Sequence, residues 1–228
     1  MKKIFLLSMV FFAIIFNVNA QKNMNTSYSF NVANQDEQKV LKLYKDYFGK
    51  KENLVKGITV SLYQNHFKGN DDATHEVVFS GTTDVLGAAY DSPSSTAWEL
   101  FQSELSKYCK DVNSATGTTL SFFGDTSKSY FIVHDVIFQN IKDIDLFKEK
   151  FDAHWSKSLP PNSRISLSSI GRRMTDGTTH YVVIRYKDFT TKFNFKPTNE
   201  ISQKEYAQAV KELRSYTKSN TRVLLGRW

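Results

Sequence analysis

The chain has 228 residues, 40% of them hydrophobic and 14% aromatic, and a formal charge of +7. That is enough apolar material for one large domain, or for two of about 100 residues with a core each. The single cysteine, Cys109, excludes an internal disulfide, and the scattered positive charges contain no run of five that would mark a nucleic-acid-binding segment.

Lys2 and Lys3 open the chain, an apolar run extends from Ile4 to Phe16 with Ser8 as its one break, and Val18-Asn19-Ala20 precedes Gln21. This is the layout of a secretory signal peptide over 1–20, cleaved after Ala20. The run is shorter than the ~20 residues that span a bilayer, and no cysteine follows the cut to carry a lipid. The expectation is an exported protein, periplasmic or extracellular, with no stable membrane anchor after cleavage.

The polar stretch at 21–27 is expected to be disordered, and a strand is predicted over 28–33. A helix follows over 35–50, with Asn34 as N-cap, Asp36 and Glu37 in its first turn, and Val40, Leu41, Leu43, Tyr44, Tyr47 and Phe48 at helical spacing. A strand over 58–66 leads through the turn Gly69-Asn70-Asp71-Asp72 to a strand starting at Thr74. Thr96-x-x-Glu99 is a capping-box signature for a second helix. Trp98, Phe101, Leu105, Tyr108 and Val112 form its stripe, with Cys109 as a small core residue beside them. A strand over 118–123 closes this unit.

The same order is then predicted again. A strand lies within 130–138, and a helix from Ile144 carries Phe147, Phe151, His154 and Trp155 and stops before Pro160-Pro161. A strand over 164–173 enters a hairpin at Asp176-Gly177, and 179–195 returns as a long strand. Ser202-x-x-Glu205 caps a helix bearing Tyr206, Ala209, Val210 and Leu213, and 221–225 is the last strand. Two segments fix the repeat. Thr74-His75-Glu76-Val77-Val78-Phe79 returns 105 positions later as Thr179-His180-Tyr181-Val182-Val183-Ile184, and Val60-Ser61-Leu62 returns at the same offset as Ile165-Ser166-Leu167.

Each unit is thus β-α-β-β-α-β, the ferredoxin-like arrangement, with helices on one sheet face. Val77-Val78-Phe79 and Val182-Val183-Ile184 are apolar on both faces, which suits strands buried on both sides. The predicted fold class is α+β: two tandem ferredoxin-like repeats, 21–125 and 126–228, with their antiparallel sheets packed face to face. Val78 and Val183 are expected as buried equivalents, and Val183→Asp as severely destabilising.

Chemistry is less legible. No His-Glu-x-x-His, Cys-x-x-Cys, phosphate-binding glycine loop or Gly-x-Ser-x-Gly occurs, so no motif names a cofactor or a metal. Asn70-Asp71-Asp72 lacks the spacing of a calcium loop and reads as a solvated turn. His154 reads as a helix-edge residue. His75 and His180 stand at equivalent points of the repeat. A two-residue turn at Asp176-Gly177 sets Arg173 opposite His180 and, carried back, Lys68 opposite His75, a weak anion site. A turn at Asn70-Asp71 instead pairs His75 with His66. In either register a solvent-facing rim is the simplest expectation. Trp98 and Trp155 line helix–sheet layers, as core or as the wall of a ligand cavity. The candidate ligand-binding set is therefore His75, His180, Arg173, Trp98 and Trp155.

By element order and duplication over 28–228, the chain resembles the dimeric α+β-barrel superfamily, with both halves fused as a pseudo-dimer in one polypeptide. The resemblance implies a cavity for a small, partly apolar molecule. It also implies, as an alternative, a monooxygenase-like or haem-associated enzyme in which His75 or His180 would serve as ligand or base. A protein-interaction module is a third reading. Nucleic acid is not an expected partner, because the sheet face that would bind it is predicted to be covered.

Overall fold

The computed structural model describes residues 23–124, 131–171 and 176–228. The predicted signal segment, the boundary at 125/126 and Arg173 lie outside the described residues. No helix among those described is long and apolar enough to cross a membrane.

Eight strands and six helices follow one another as β1 (Asn23–Val32), α1 (Glu37–Phe48), β2 (Thr59–Phe67), β3 (His75–Thr82), α2 (Thr83–Asp91), α3 (Thr96–Leu105), β4 (Cys109–Phe123), β5 (Val133–Ile141), α4 (Ile144–Ser158), β6 (Ser163–Ile170), β7 (His180–Tyr186), α5 (Phe189–Phe193), α6 (Glu200–Val210) and β8 (Arg214–Arg227). The strands close into one antiparallel barrel in the order β1-β3-β2-β8-β5-β7-β6-β4. The two halves are therefore joined edge to edge, by β2 with β8 and by β4 with β6, and not solely by faces laid on one another. Joining the edges satisfies the backbone groups that two separate sheets would leave unpaired.

The apolar residues lie outside the barrel wall, beneath the helices. One core gathers Phe30, Val60, Leu62 and Val77 of the strands with Val40, Tyr44, Phe48 and Phe101 of α1 and α3. The other gathers Ile165, Leu167 and Val182 with Phe147, Phe151, Trp155, Tyr206 and Val210 of α4 and α6. Strand alternation then turns the intervening residues into the lumen. Val77 and Val182 face the outer cores, whereas Val78 and Val183 line the lumen beside Tyr63, Glu76, Tyr181, Arg185 and Arg222. Val183 is 2% exposed and Val78 half-buried. The second strand face is buried as expected, but its surroundings are largely polar.

Several boundaries differ from the sequence expectation. The first strand starts earlier, at Asn23, inside the stretch expected to be disordered, because β3 pairs with it there. The helix at Thr96 stops at Leu105, and Cys109 already pairs with Val32. Ladder pairing with β1 thus overrides the helical spacing that includes Tyr108 and Val112. Ser95 rather than Thr96 caps this helix, its hydroxyl accepting from the Trp98 amide, and Asn199 caps α6 by accepting from Ser202. The long strand over 179–195 ends at Tyr186, because Asp188 accepts from the Thr191 amide and hydroxyl and starts α5. Helix α2 follows β3 directly, with the Thr82 hydroxyl accepting from the Val85 amide.

The hairpin registers also differ. Gln64 stands opposite His75 and Ser169 opposite His180. Both pairs obey the 105-residue offset, but neither Lys68 nor His66 faces His75. The β2–β3 connection is longer than a tight turn because it docks on β8. Gly69 adopts φ +57° against Ser219, and the Asn70 amide accepts from the Ser219 N–H and donates to the Thr217 carbonyl. An added Cβ at Gly69 would stand 2.3 Å from the Ser219 oxygen, so only glycine fits there.

Candidate functional site

The histidines predicted at the rim are buried. His75 is 0% exposed and stacks on Phe30, and its Nδ1 lies 2.9 Å from the Thr74 hydroxyl. His180 repeats the arrangement with Thr179 at 2.7 Å. In each half that threonine also accepts from the neighbouring strand, from the Val32 amide in one and the Ile141 amide in the other. The repeated Thr-His pair therefore stitches a hairpin to its neighbour in each half. Trp98 belongs to the first outer core and Trp155 to the second, so the structure does not bring the two tryptophans together. His154 is buried as well, stacked on Tyr206 with Nδ1 3.0 Å from Ser202.

Burial holds His75, His134, His154 and His180 below the ordinary imidazole value of 6.5. For His134 the positive charges of Arg185 and Arg222 add to the effect. Each folded-state value lies below the unfolded one, so the unfolded chain takes up more protons as pH falls past about 6.5. The contribution of neutral burial is complete above that pH and is lost below it. We expect the urea midpoint to fall clearly between about pH 7.5 and about pH 5.5, and to do so less in a His134→Gln variant. A midpoint constant over that interval would contradict the neutral, buried imidazoles.

A groove of about 1180 Å³ runs over the outer face of β1 and β4 and under α2. Its walls include Met24 and Leu86, and Thr26, Tyr28 and Tyr90 supply a chain of hydroxyls. Tyr90 lies 2.7 Å from the Thr26 hydroxyl and 3.0 Å from that of Tyr28. Burial, reinforced by Tyr90, pushes the Tyr28 phenol well above its usual value, so it stays a neutral donor. The matching place in the other half is filled. Thr26 precedes Phe30, the partner of His75, by four residues, just as Asp135 precedes Gln139, the partner of His180. Asp135 accepts from Lys192 of α5 at 2.6 Å, from Thr221 at 2.6 Å and from Tyr186 at 3.0 Å. One helix thus leaves an open groove bounded by hydroxyls, and its counterpart plugs the equivalent spot with an ion pair.

A second, smaller cavity of about 90 Å³ lies in the barrel lumen. Glu76 and Arg222 form an ion pair across it, with side chains 15% and 7% exposed. The Arg222 guanidinium also lies over the Tyr63 ring at 4.1 Å. Arg185 donates to Ser166 at 2.9 Å, and Tyr181 donates to Asn25 at 2.8 Å. No sequence pattern announced Tyr28, Tyr90, Glu76, Arg185 or Arg222. The partners lie 62 residues apart in Tyr28–Tyr90 and 146 apart in Glu76–Arg222, so barrel closure alone brings them together.

Neither cavity is lined by a histidine, and the described residues hold no group of three metal-ligating side chains. The residues present therefore do not fit a histidine-ligated haem in either place.

No family model matches the chain, and no curated protein matches it. Solved structures do. A candidate monooxygenase from Fusobacterium nucleatum superposes with a TM-score of 0.62 at 14% identity, over 90% of this chain and 94% of that one. One from Lactobacillus acidophilus gives 0.63 at 11%, over 90% and 95%. A chlorite dismutase variant from Candidatus Nitrospira defluvii gives 0.53 at 11%, over 89% and 91%. At these identities the likeness concerns the fold, and in fold the chain resembles the dimeric α+β-barrel superfamily.

Proposed function

We propose that this protein binds a small, partly apolar molecule carrying a hydroxyl or carbonyl group in the groove over β1 and β4. The observation that carries this reading is the contrast between the open groove, with the neutral hydroxyls of Thr26, Tyr28 and Tyr90, and the plugged counterpart at Asp135 and Lys192. Met24, Leu86 and Ala115 give apolar surface in a groove otherwise lined mostly by polar side chains, Asp71, Asp72, Asp111 and Asp176 among them, and apolar surface beside convergent polar groups is what a small-molecule site needs. Met24 and Leu86 would exclude water from the ligand body, and Tyr28 would donate to its oxygen. A monooxygenase-like reaction on such a ligand is the second reading, favoured by the fold shared with candidate monooxygenases.

The test uses 1-naphthol, an aromatic with one hydroxyl, followed by calorimetric titration and by oxygen uptake. Binding should weaken about 3- to 10-fold in Tyr28→Phe, the size of one hydrogen bond. It should vanish in Gly87→Trp, which fills the groove from an open position on α2. Binding unchanged in both variants would remove the groove from consideration, and oxygen uptake dependent on naphthol would select the second reading.

We also propose that the chain is a tandem fusion of two ferredoxin-like units, 21–125 and 126–228, and that it is exported with cleavage after Ala20. The recurring element order and the 105-residue register support the first, and the signal-like segment supports the second. The intact mass of protein recovered outside the cytoplasm should correspond to a chain beginning at Gln21. A mass that includes the apolar segment would overturn the cleavage.

A further inference from the structure

The lumen carries a charge that its own residues do not balance. Among the described residues lining it, Arg185 and Arg222 are cationic and Glu76 is the one acid. Glu76 is committed to Arg222. Arg185 has a hydroxyl partner, Ser166, and no carboxylate within ion-pair distance among the described residues. His134, 4% exposed and tilted against the Tyr63 ring, donates from Nε2 to the Phe131 carbonyl; its Nδ1 has no partner. It is held neutral, so it neither adds nor removes charge. The Nε of Arg222, on a residue 6% exposed, is also without a partner. Burial, with Arg222 and Arg164 nearby, pushes Arg185 down to about 10. A guanidinium in such surroundings is costly unless an opposite charge meets it.

We propose that the barrel lumen is a binding site for one small monovalent anion, held between Arg185 and Arg222. The residues that line the cavity carry one more cation than acid, which matches a single negative charge. The cavity, about 90 Å³, has room for chloride, nitrate or a short carboxylate and is small for a six-carbon anion. Tyr63, Tyr181 and Ser168 line the same space and bring hydroxyl groups to it. Arg185 is only half-buried, which leaves the site a path for exchange with solvent. This site is separate from the groove over β1 and β4, so the two proposals stand or fall independently.

The experiment melts the full protein, dialysed into sodium gluconate, while chloride or nitrate replaces gluconate at constant ionic strength. A rise that grows with the logarithm of anion concentration above Kd, reaching roughly 3–6 °C at a tenfold excess over Kd, is expected for a chain of this length. Gluconate, too large for the cavity, gives none. Arg185→Met is expected to abolish the rise. A rise that is linear in anion concentration throughout, or a logarithmic one retained in Arg185→Met, would overturn the site. Should Arg185→Met fail to fold, crystals of the unmodified protein grown in sodium bromide decide the matter. An anomalous bromide peak between Arg185 and Arg222 supports the site, and a lumen holding water alone refutes it.

Discussion

Val182→Asp is expected to abolish folding, and Val183→Asp, one residue further, to leave the protein folded. The two side chains are 5% and 2% exposed, so burial alone does not separate them. Their surroundings do. Val182 sits in the outer core with Phe147, Phe151, Trp155 and Leu167, where a carboxylate would find no partner. Desolvating it there costs several kcal/mol, comparable with the 5–15 kcal/mol that holds a domain together. Val183 lines the lumen with Arg185 and Arg222, whose charge exceeds that of Glu76 by one. A carboxylate at 183 would meet that excess. The sequence-based expectation that Val183→Asp is severely destabilising is therefore withdrawn, because it rested on an apolar second face. Soluble yield and the urea midpoint of both variants check this. Equal loss of folding in the two would show that the lumen tolerates no added charge.

Glu76→Gln is expected to cost about 3–5 kcal/mol, the penalty for stranding one member of a buried ion pair. The substitution leaves Arg185 and Arg222 facing one another without their acid. Glu76→Gln/Arg222→Met should recover most of the loss, since a pair replaced by apolar groups of similar volume is often nearly neutral. Urea unfolding of the three proteins measures both steps. If Glu76→Gln melts like the parent, the pair contributes nothing and the lumen is better solvated than its burial implies. Added chloride should stabilise Glu76→Gln more than the parent, because the variant presents two unbalanced cations.

What was legible in the sequence was whatever local pattern dictates. The 105-residue offset located both hairpins, since Gln64–His75 and Ser169–His180 occupy the same ladder position. Helix α4 was predicted from Ile144 and stops at Ser158, where Pro160-Pro161 ends it. The failures came where a distant partner overrode a local preference. The Asn70 turn was misjudged because Thr217 and Ser219, almost 150 residues away, hold it open. Strand β4 took in Cys109 and Val112 because β1 lies beside it. Nothing in Ile184 and Tyr186, the neighbours of Arg185, says that its side of the strand faces a closed lumen. The candidate site was hidden for the same reason: Tyr28, Tyr90 and Thr26 come from an exposed-looking strand and from a helix that sequence reasoning did not find.

A parity argument follows from the seams of the barrel. Across the seam between β2 and β8, Arg222 of β8 meets Glu76 of β3. The positions 105 residues earlier and later are Gly117 and Tyr181, and there the Tyr181 hydroxyl fills the space beside the glycine, 2.3 Å from where a Cβ would stand. Arg185 corresponds in the same way to Ser80. An axis of two-fold symmetry copies every charge it does not pass through, so the interior of a barrel assembled from two identical chains carries an even number of elementary charges. The excess of one cation among the residues that line this cavity is odd. It is accessible only to a barrel whose halves are free to differ, which a single polypeptide provides.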